Sequence, residues 1–314
     1  MNTKATHIIG DAARYLTFPI LMGLSVSAYF VADAAGPTFA AISSIGTMVL
    51  LSLALHFIEK VLPYRLDWLE KDNQEANDLG HAVFGTLLGA KVGRSLVALI
   101  APILAIELSQ RFGSGLWPSH LPILVQAAIV FLIADFGRYW EHRLMHQVPT
   151  LWRFHALHHS AEKLTILKTY RNHFIERCLQ SVLSFGPLVA LGVPPKLILV
   201  YSVPNIFLGL FSHSNVDLRL GPLEYVINGP GAHRIHHSLD AKEGNSNFGS
   251  AIVIWDIIFR TYTCPVGRPG PALLGIQDDM MPKGFFSQYF SPFIWNQILC
   301  RAAKKNSLKV EPVR

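Results

Sequence analysis

Between Asp135 and His159 the chain reads DFGRYWEHRLMHQVPTLWRFHALHH, with five of its 14 histidines in two tight groups. His142 and His146 stand four apart, and His155, His158 and His159 follow the pattern H-x-x-H-H. A third group, His233, His236 and His237, repeats that pattern 74 residues after His159. Positions three and four apart share one face of a helix, so each group presents its imidazoles to one side. Any fold this chain adopts must therefore bring three short helical faces to one place. Neutral imidazole is the commonest protein metal ligand, and eight imidazoles exceed what one tetrahedral zinc needs. The economical reading is a site with two metals. His7, His56, His81 and His120 stand alone and are expected to be ordinary core or surface residues.

The setting of that site follows from composition. Of 314 residues 51% are hydrophobic and only 15% charged, with a mean hydropathy of +0.33. Soluble domains carry about 25% charged residues. The expected class is an all-α integral membrane protein with about four transmembrane helices, plus an apolar hairpin that spans or re-enters, and a cytosolic histidine-rich helical cap. The formal charge of +6 is a topology signal. No Lys/Arg run interleaved with aromatics appears, which excludes nucleic acid as a partner. Cys178, Cys264 and Cys300 are far apart and form no C-x-x-C, arguing against a disulfide framework and against thiolate ligation.

Tyr15 to Ala32 and Ala34 to Leu55 are uncharged stretches joined at Gly36-Pro37 and read as a hairpin of two spans, a retained anchor. Lys60, Arg65 and Lys71, with Lys4 and Arg14, place both of its ends in the cytoplasm. His81 to Arg94 reads as an interfacial approach to a third span over Ser95 to Ile106, and Phe112 to Ala134 as a fourth. Cys178 to Pro195 and Leu197 to Val216 are uncharged again, but prolines interrupt them, so a re-entrant or tightly packed hairpin is expected. The expected organisation is an N-terminal transmembrane region over 1–120, a catalytic region over 121–265 and a C-terminal cytosolic tail over 266–314, with Arg301 to Arg314 as a loose basic end.

D-x-x-x-Y-W-x-H-R-x-x-H from Asp135 to His146, W-R-F-H-x-x-H-H-S from Trp152 to Ser160 and H-x-x-H-H from His233 to His237 together resemble the fatty acid hydroxylase and sterol desaturase superfamily. H-x-N at His213, N-x-N-F-G from Asn245 and W-D-x-x-F-x-T-Y from Trp255 agree as well. The resemblance covers roughly residues 120 to 265. Phe174 departs from it, standing where proline commonly follows the histidine of R-x-H-P-x-E, and so does Arg260, in place of a common glycine.

The resemblance implies an oxygen-dependent membrane enzyme with a nonhaem centre of two iron ions, dioxygen as co-substrate and a membrane lipid as substrate. It implies a multi-pass protein with its active site on the cytoplasmic face, in a bacterial inner membrane rather than the endoplasmic reticulum. His142, His146, His155, His158, His159, His233, His236 and His237 are the expected metal ligands, with His213 as a ninth. Asp135, Glu141, His173 and Asn247 are expected around them, the two carboxylates as acceptors that orient imidazoles. Arg143 and Arg153 are expected to pair with carboxylates or lipid phosphate. Trp140, Trp152 and Trp255 are read as tunnel walls or as interfacial anchors. No G-x-G-x-x-G fingerprint is present, so electrons are expected from a separate donor, a ferredoxin or cytochrome-type carrier with its reductase. Lipid hydroxylation is the leading reading and desaturation the alternative within the same chemistry. A metal transporter or sensor fits poorly, because the apolar stretches are nearly free of charge.

Overall fold

The computed structural model describes the backbone of residues 3–34, 36–113, 115–277 and 280–307, and no strand occurs among them. Two helices open the chain, α1 (Thr3–Ala34) and α2 (Pro37–Val61). They carry the first two expected spans, parts of which lie outside the residues whose side chains are described, as does His7. Pro37 occupies the first turn of α2, where its missing N–H costs nothing.

Three helices among the described residues are long and apolar enough to cross a membrane: α3 (Glu75–Phe112), α4 (Ile123–Gln147) and a later one, Pro195–His213. The chain is a membrane-embedded, all-helical protein. The interfacial approach and third span expected separately are a single 38-residue helix, α3. Its turn at His81–Leu87 is wound wide without ending α3. The fourth span starts later than expected, because Pro118 and Pro122 hold 115–122 out of the helix. It also runs further, to Gln147, so His142 and His146 are its last two turns.

Pro149 starts α5 (Pro149–His159) after a one-residue break. The proline-interrupted apolar region forms two helices, α6 (Phe174–Ala190) and α7 (Pro195–His213). A short helix, α8 (Pro230–His236), carries the third histidine group. Beyond it come α9 (Ile254–Ile258), α10 (Phe285–Tyr289) and α11 (Trp295–Ser307).

Glycines spaced four apart set the closest helix contact. A Cβ on Gly89 would lie 2.6 Å from the Phe174 carbonyl oxygen, and one on Gly93 2.6 Å from that of Cys178. Gly85 is pressed against the Asn172 carbonyl in the same way. Small residues every fourth position let two membrane helices approach backbone to backbone where lipid supplies no hydrophobic drive. Here they draw α6 onto α3, while Gly137 on α4 meets the backbone of Leu183 and brings α4 onto α6 as well. On the outer side of α3, Leu99, Ile100, Ile103 and Ile106 are exposed, an apolar surface suited to lipid.

Among the described residues after 265, α10 and α11 pack onto the rest of the protein. Trp295 and Ile298 are buried against Ala156 and Leu157 of α5, and His81 on α3 meets Gln288 on α10 at 3.1 Å. Arg301 to Ser307 continue α11; residues 308–314 lie outside those described.

Candidate metal centre

Nine imidazoles converge where α4, α5, α7 and α8 meet, and they sort into two adjoining groups. His142, His146, His155, His159 and His236 form one. His158, His213, His233 and His237 form the other, and within each group the candidate ligand nitrogens all lie within 4.8 Å of one another. Helical phase makes the division. On α5, His155 and His159 are four apart and face the first group, while His158 is turned to the second. On α8, His233 and His237 point to the second group and His236 to the first. Each H-x-x-H-H pattern therefore serves both groups, and the rings of His159 and His237 stack at 4.3 Å between them.

The ring nitrogens stand 3.0–3.2 Å from one another, and the bonds that some rings make outward leave bare nitrogens facing in. His142 Nδ1 lies 2.8 Å from the Phe248 carbonyl, His236 Nδ1 2.8 Å from that of Ser246 and His213 Nδ1 2.9 Å from that of Gly209. A carbonyl only accepts, so these three neutral rings carry their proton on Nδ1 and direct a bare Nε2 inward. His213 Nε2 then stands 3.0 Å from both His158 Nε2 and His233 Nε2. His142 Nε2 is 3.1 Å from His155 Nε2, and His236 Nε2 is 3.0 Å from His159 Nε2. Inward-facing lone pairs at this spacing call for a cation among them.

Electrostatics agree with neutral ligands. Burial, and then crowding by neighbouring imidazoles, pushes His155, His158, His159, His233, His236 and His237 well below the usual histidine range. Proton competition for these nitrogens is correspondingly weak near neutral pH.

The residues expected around the ligands act differently from the expectation. Asp135 touches no imidazole; it accepts from the Ala251 N–H at 2.8 Å. Asp256 accepts from the N–H groups of Phe248 and Gly249 at 2.8 and 2.7 Å. Between them the two carboxylates shape the loop whose Phe248 carbonyl orients His142. Glu141 lies beside a cavity rather than on a ring, and its Oε1 has no partner. His173 joins neither group. It caps α6, accepting from the Ile175 N–H at 3.1 Å and reaching the Tyr289 carbonyl with Nε2 at 3.1 Å. Burial, above all, holds its pKa down at about 4. Asn247, at φ 55°, donates to the Ala232 and Thr263 carbonyls at 3.0 Å each and so ties α8 to the loop.

The carboxylate that does orient an imidazole is Glu176, 2.9 Å from His155 Nδ1. It is the final letter of R-x-H-x-x-E, Arg171 to Glu176, and that pattern was the available signal. Arg143 donates to the Tyr139 hydroxyl at 3.0 Å and Arg153 to Asn296 at 3.2 Å; among the described residues neither pairs with a carboxylate. Trp152 lies over His146 and His159, with ring centres 5.2 and 5.4 Å away. Trp140 and Trp255 belong to an aromatic cluster with Phe136 and Phe259. His120 is exposed.

A cavity of about 740 Å³ opens onto the centre. Its wall includes His142, His155, His158, His213 and His233, apolar side chains of α2, α3 and α7, and polar groups of α4 and α6.

These features define a membrane protein with a histidine-walled candidate metal centre at the bottom of an amphiphilic cavity. A family model described as fatty acid hydroxylase matches residues 127–261. The ornithine lipid hydroxylase OlsE of Rhizobium tropici is 38% identical over 238 residues, 75% of this chain and 71% of that protein. The human alkylglycerol monooxygenase is 36% identical over 132 residues, 42% of this chain and 29% of that protein. The Delta(7)-sterol-C5(6)-desaturase of Nicotiana tabacum is 29% identical over 150 residues, 46% of this chain and 52% of that protein. No solved structure matches. The chain belongs to the fatty acid hydroxylase family and is an oxidoreductase of the membrane lipid hydroxylase kind.

Proposed function

We propose that the chain inserts oxygen into a C–H bond of a membrane lipid, using two iron ions held by the five-histidine and the four-histidine groups. The observation that carries this is the convergence of nine imidazoles whose Nε2 atoms approach one another at 3.0–3.2 Å, those of His142, His155, His213 and His236 turned inward by partners on Nδ1. At a metal–nitrogen distance of about 2.1 Å a tetrahedral edge spans ~3.4 Å, and ligands at right angles span ~3.0 Å. The observed spacing suits the second arrangement, and with it a metal of higher coordination number than structural zinc. Iron also has the redox chemistry that zinc lacks. When bound, it supplies the activation of dioxygen and the oxidising power that an unactivated C–H bond demands.

The chain's own groups do the rest. The carbonyls of Phe248, Ser246 and Gly209, with Glu176, fix the tautomers that turn Nε2 inward. The buried, close-packed surround keeps bulk water from the centre. The cavity holds an amphiphile against it. Electrons come from a separate one-electron carrier, a ferredoxin or cytochrome with its reductase. The centre faces the cytoplasm, as the basic residues flanking the spans suggest, and the relative in Rhizobium supports a bacterial inner membrane.

The test is metal analysis joined to lipid mass spectrometry. Membranes with reductant and oxygen are expected to yield a lipid 16 mass units heavier, from protein holding about two irons per chain. A single metal, or full activity with zinc alone, would overturn the two-iron reading. A product two mass units lighter would indicate desaturation, the chemistry named for the tobacco relative.

A further inference from the structure

The four-histidine group is braced from a part of the chain that carries none of its ligands. α2 ends at Val61, and in its last turn Glu59, 3% exposed, turns its carboxylate inward. One oxygen, Oε1, accepts from the N–H of Asn215 at 2.9 Å and from the N–H of Ile166 at 2.8 Å. The chain that follows extends the attachment. The Tyr64 N–H donates to the Asn215 carbonyl at 3.2 Å, the Arg65 N–H to Asn215 Oδ1 at 3.0 Å, and Asn215 Nδ2 to the Arg65 carbonyl at 2.9 Å. The Asp217 N–H donates to the Leu62 carbonyl at 2.9 Å. Asn215 is fully buried, and both its backbone groups and both ends of its side-chain amide are held by residues 59–65.

Asn215 stands two residues after His213, the last residue of α7. The closing turn of a helix has carbonyls without intrahelical partners and frays where the chain beyond is not held. Here the chain leaves the helix through Ser214, which is extended, and is caught at once by Asn215. His213 is central to its group, with Nε2 3.0 Å from those of His158 and His233, so a displacement of this helix end is felt by two other rings. The Gly209 carbonyl one turn back fixes the tautomer of His213, but that bond travels with α7. It does not set where α7 ends relative to α5. Glu59 does, because the same oxygen also holds Ile166, seven residues after His159 at the end of α5. The chains that carry His158 and His213 are thereby tied to one carboxylate.

No residue of 59–65 lies within 127–261, the segment that the family model matches. Resting on the two-metal reading above, we propose that Glu59 and Asn215 are positioning residues, a clasp by which the N-terminal hairpin completes the four-histidine group. The clasp sets where His213 stands against His158 and His233. α2 also reaches the lipid side of the centre. Met48 and Ser52 line the cavity, and Ser52 lies about two turns before Glu59 on the same helix face. The helix that substrate touches is thus the helix that holds His213.

The experiment strips metal from the solubilised full-length protein, returns iron(II) without oxygen, and reads the number and affinity of bound irons. Glu59→Ala leaves two buried N–H groups unpaired. It is expected to lower the content from about two irons to about one, the other binding at least tenfold more weakly. Asn215→Ser removes the two side-chain bonds to Arg65 and is expected to act in the same direction; it carries the test should Glu59→Ala fail to fold. Glu59→Gln keeps an oxygen that can accept from both N–H groups and is expected to restore both irons. Equal weakening of both irons would make the clasp a general support of the fold, and unchanged binding of both would make it idle; either result overturns the proposal. Loss in Glu59→Gln as large as in Glu59→Ala would assign the effect to charge and overturn the hydrogen-bonded clasp. Should the wild type hold a single iron, the two-iron reading fails, and the clasp stands only if both variants bind that iron at least tenfold more weakly. Two irons in the wild type, selective loss in the variants and no oxidation of any lipid would support the clasp and overturn the hydroxylase reading instead.

Discussion

Replacing Gly89 by alanine tests whether the glycine contact between α3 and α6 sets the metal centre. The new Cβ would stand 2.6 Å from the Phe174 carbonyl oxygen and 3.0 Å from Arg177 Cβ, against 3.4 Å for an ordinary contact. The nearest obstacle is backbone, so a rotamer change cannot relieve it, and the helices must part by about 0.8 Å. Overpacking of this kind costs about 1–3 kcal/mol, while the better helix propensity of alanine returns about 1 kcal/mol, so folding loses little. Function loses more. Phe174 is two residues before Glu176, whose bond to His155 is 2.9 Å long. Displaced by the full amount, that contact lengthens to roughly 3.7 Å and ceases to be a hydrogen bond. Losing a partner that orients a ligating histidine costs about 10–100-fold in metal affinity or activity. The assay is oxygenated lipid per membrane-inserted protein, with iron content measured on the same sample. Gly186→Ala on α6, where a Cβ meets nothing within 4 Å, is the control and is expected to keep turnover within about twofold. Wild-type turnover and iron content in Gly89→Ala would refute the reasoning.

His158→Ala is expected to abolish lipid oxidation with membrane insertion intact, while His120→Ala, in an exposed loop, keeps activity; equal loss in both, at matched protein amount, would contradict the placement of the centre. Glu224 is buried, and burial pushes its carboxyl up to about 7. Its contribution to stability is full below the unfolded value near 4.5 and is lost as pH rises through about 7. Glu224→Gln should therefore stabilise the protein progressively between those limits, by up to about 3 kcal/mol above them. A melting difference that stays constant from pH 5 to 8 would argue against this. Graded chelation, followed by iron analysis and iron X-ray absorption, is expected to empty the four-histidine group before the five-histidine group; simultaneous loss would show the two to be equally held.

Much of the centre was legible because helical periodicity is a local property. The spacing within H-x-x-H-H fixes which imidazoles share a face, and the structure brings all eight of those side chains together with His213. Periodicity does not say that one pattern faces two groups at once, since that depends on the angle at which α5 and α8 cross the site. Asp135 misled for a related reason. Its place two turns before His142 suggested an acceptor that orients an imidazole, whereas its partner is a backbone N–H 116 residues away. The spans were legible where charge was absent. Their ends were not, because α3 continues through Lys91 and Arg94, and only the packing of its glycine face against α6 explains why it does not stop there.

The two groups differ in how their rings are held, and that difference bears on what each can do. In the first, three Nδ1 atoms are anchored from outside, His142 and His236 by carbonyls and His155 by Glu176. In the second, His213 is anchored by the Gly209 carbonyl, while the Nδ1 atoms of His233 and His237 are buried without a partner. Outer anchors raise ligand basicity and fix ring orientation, so the five-histidine group is the better preorganised of the two. The four-histidine group has fewer nitrogens and looser rings, and its His158, His213 and His233 line the cavity together with His142 and His155 of the other group. A metal held there would have more of its coordination shell left for ligands other than histidine. The arrangement thus offers a firmly built candidate site beside a more adaptable one, with the cavity reaching both.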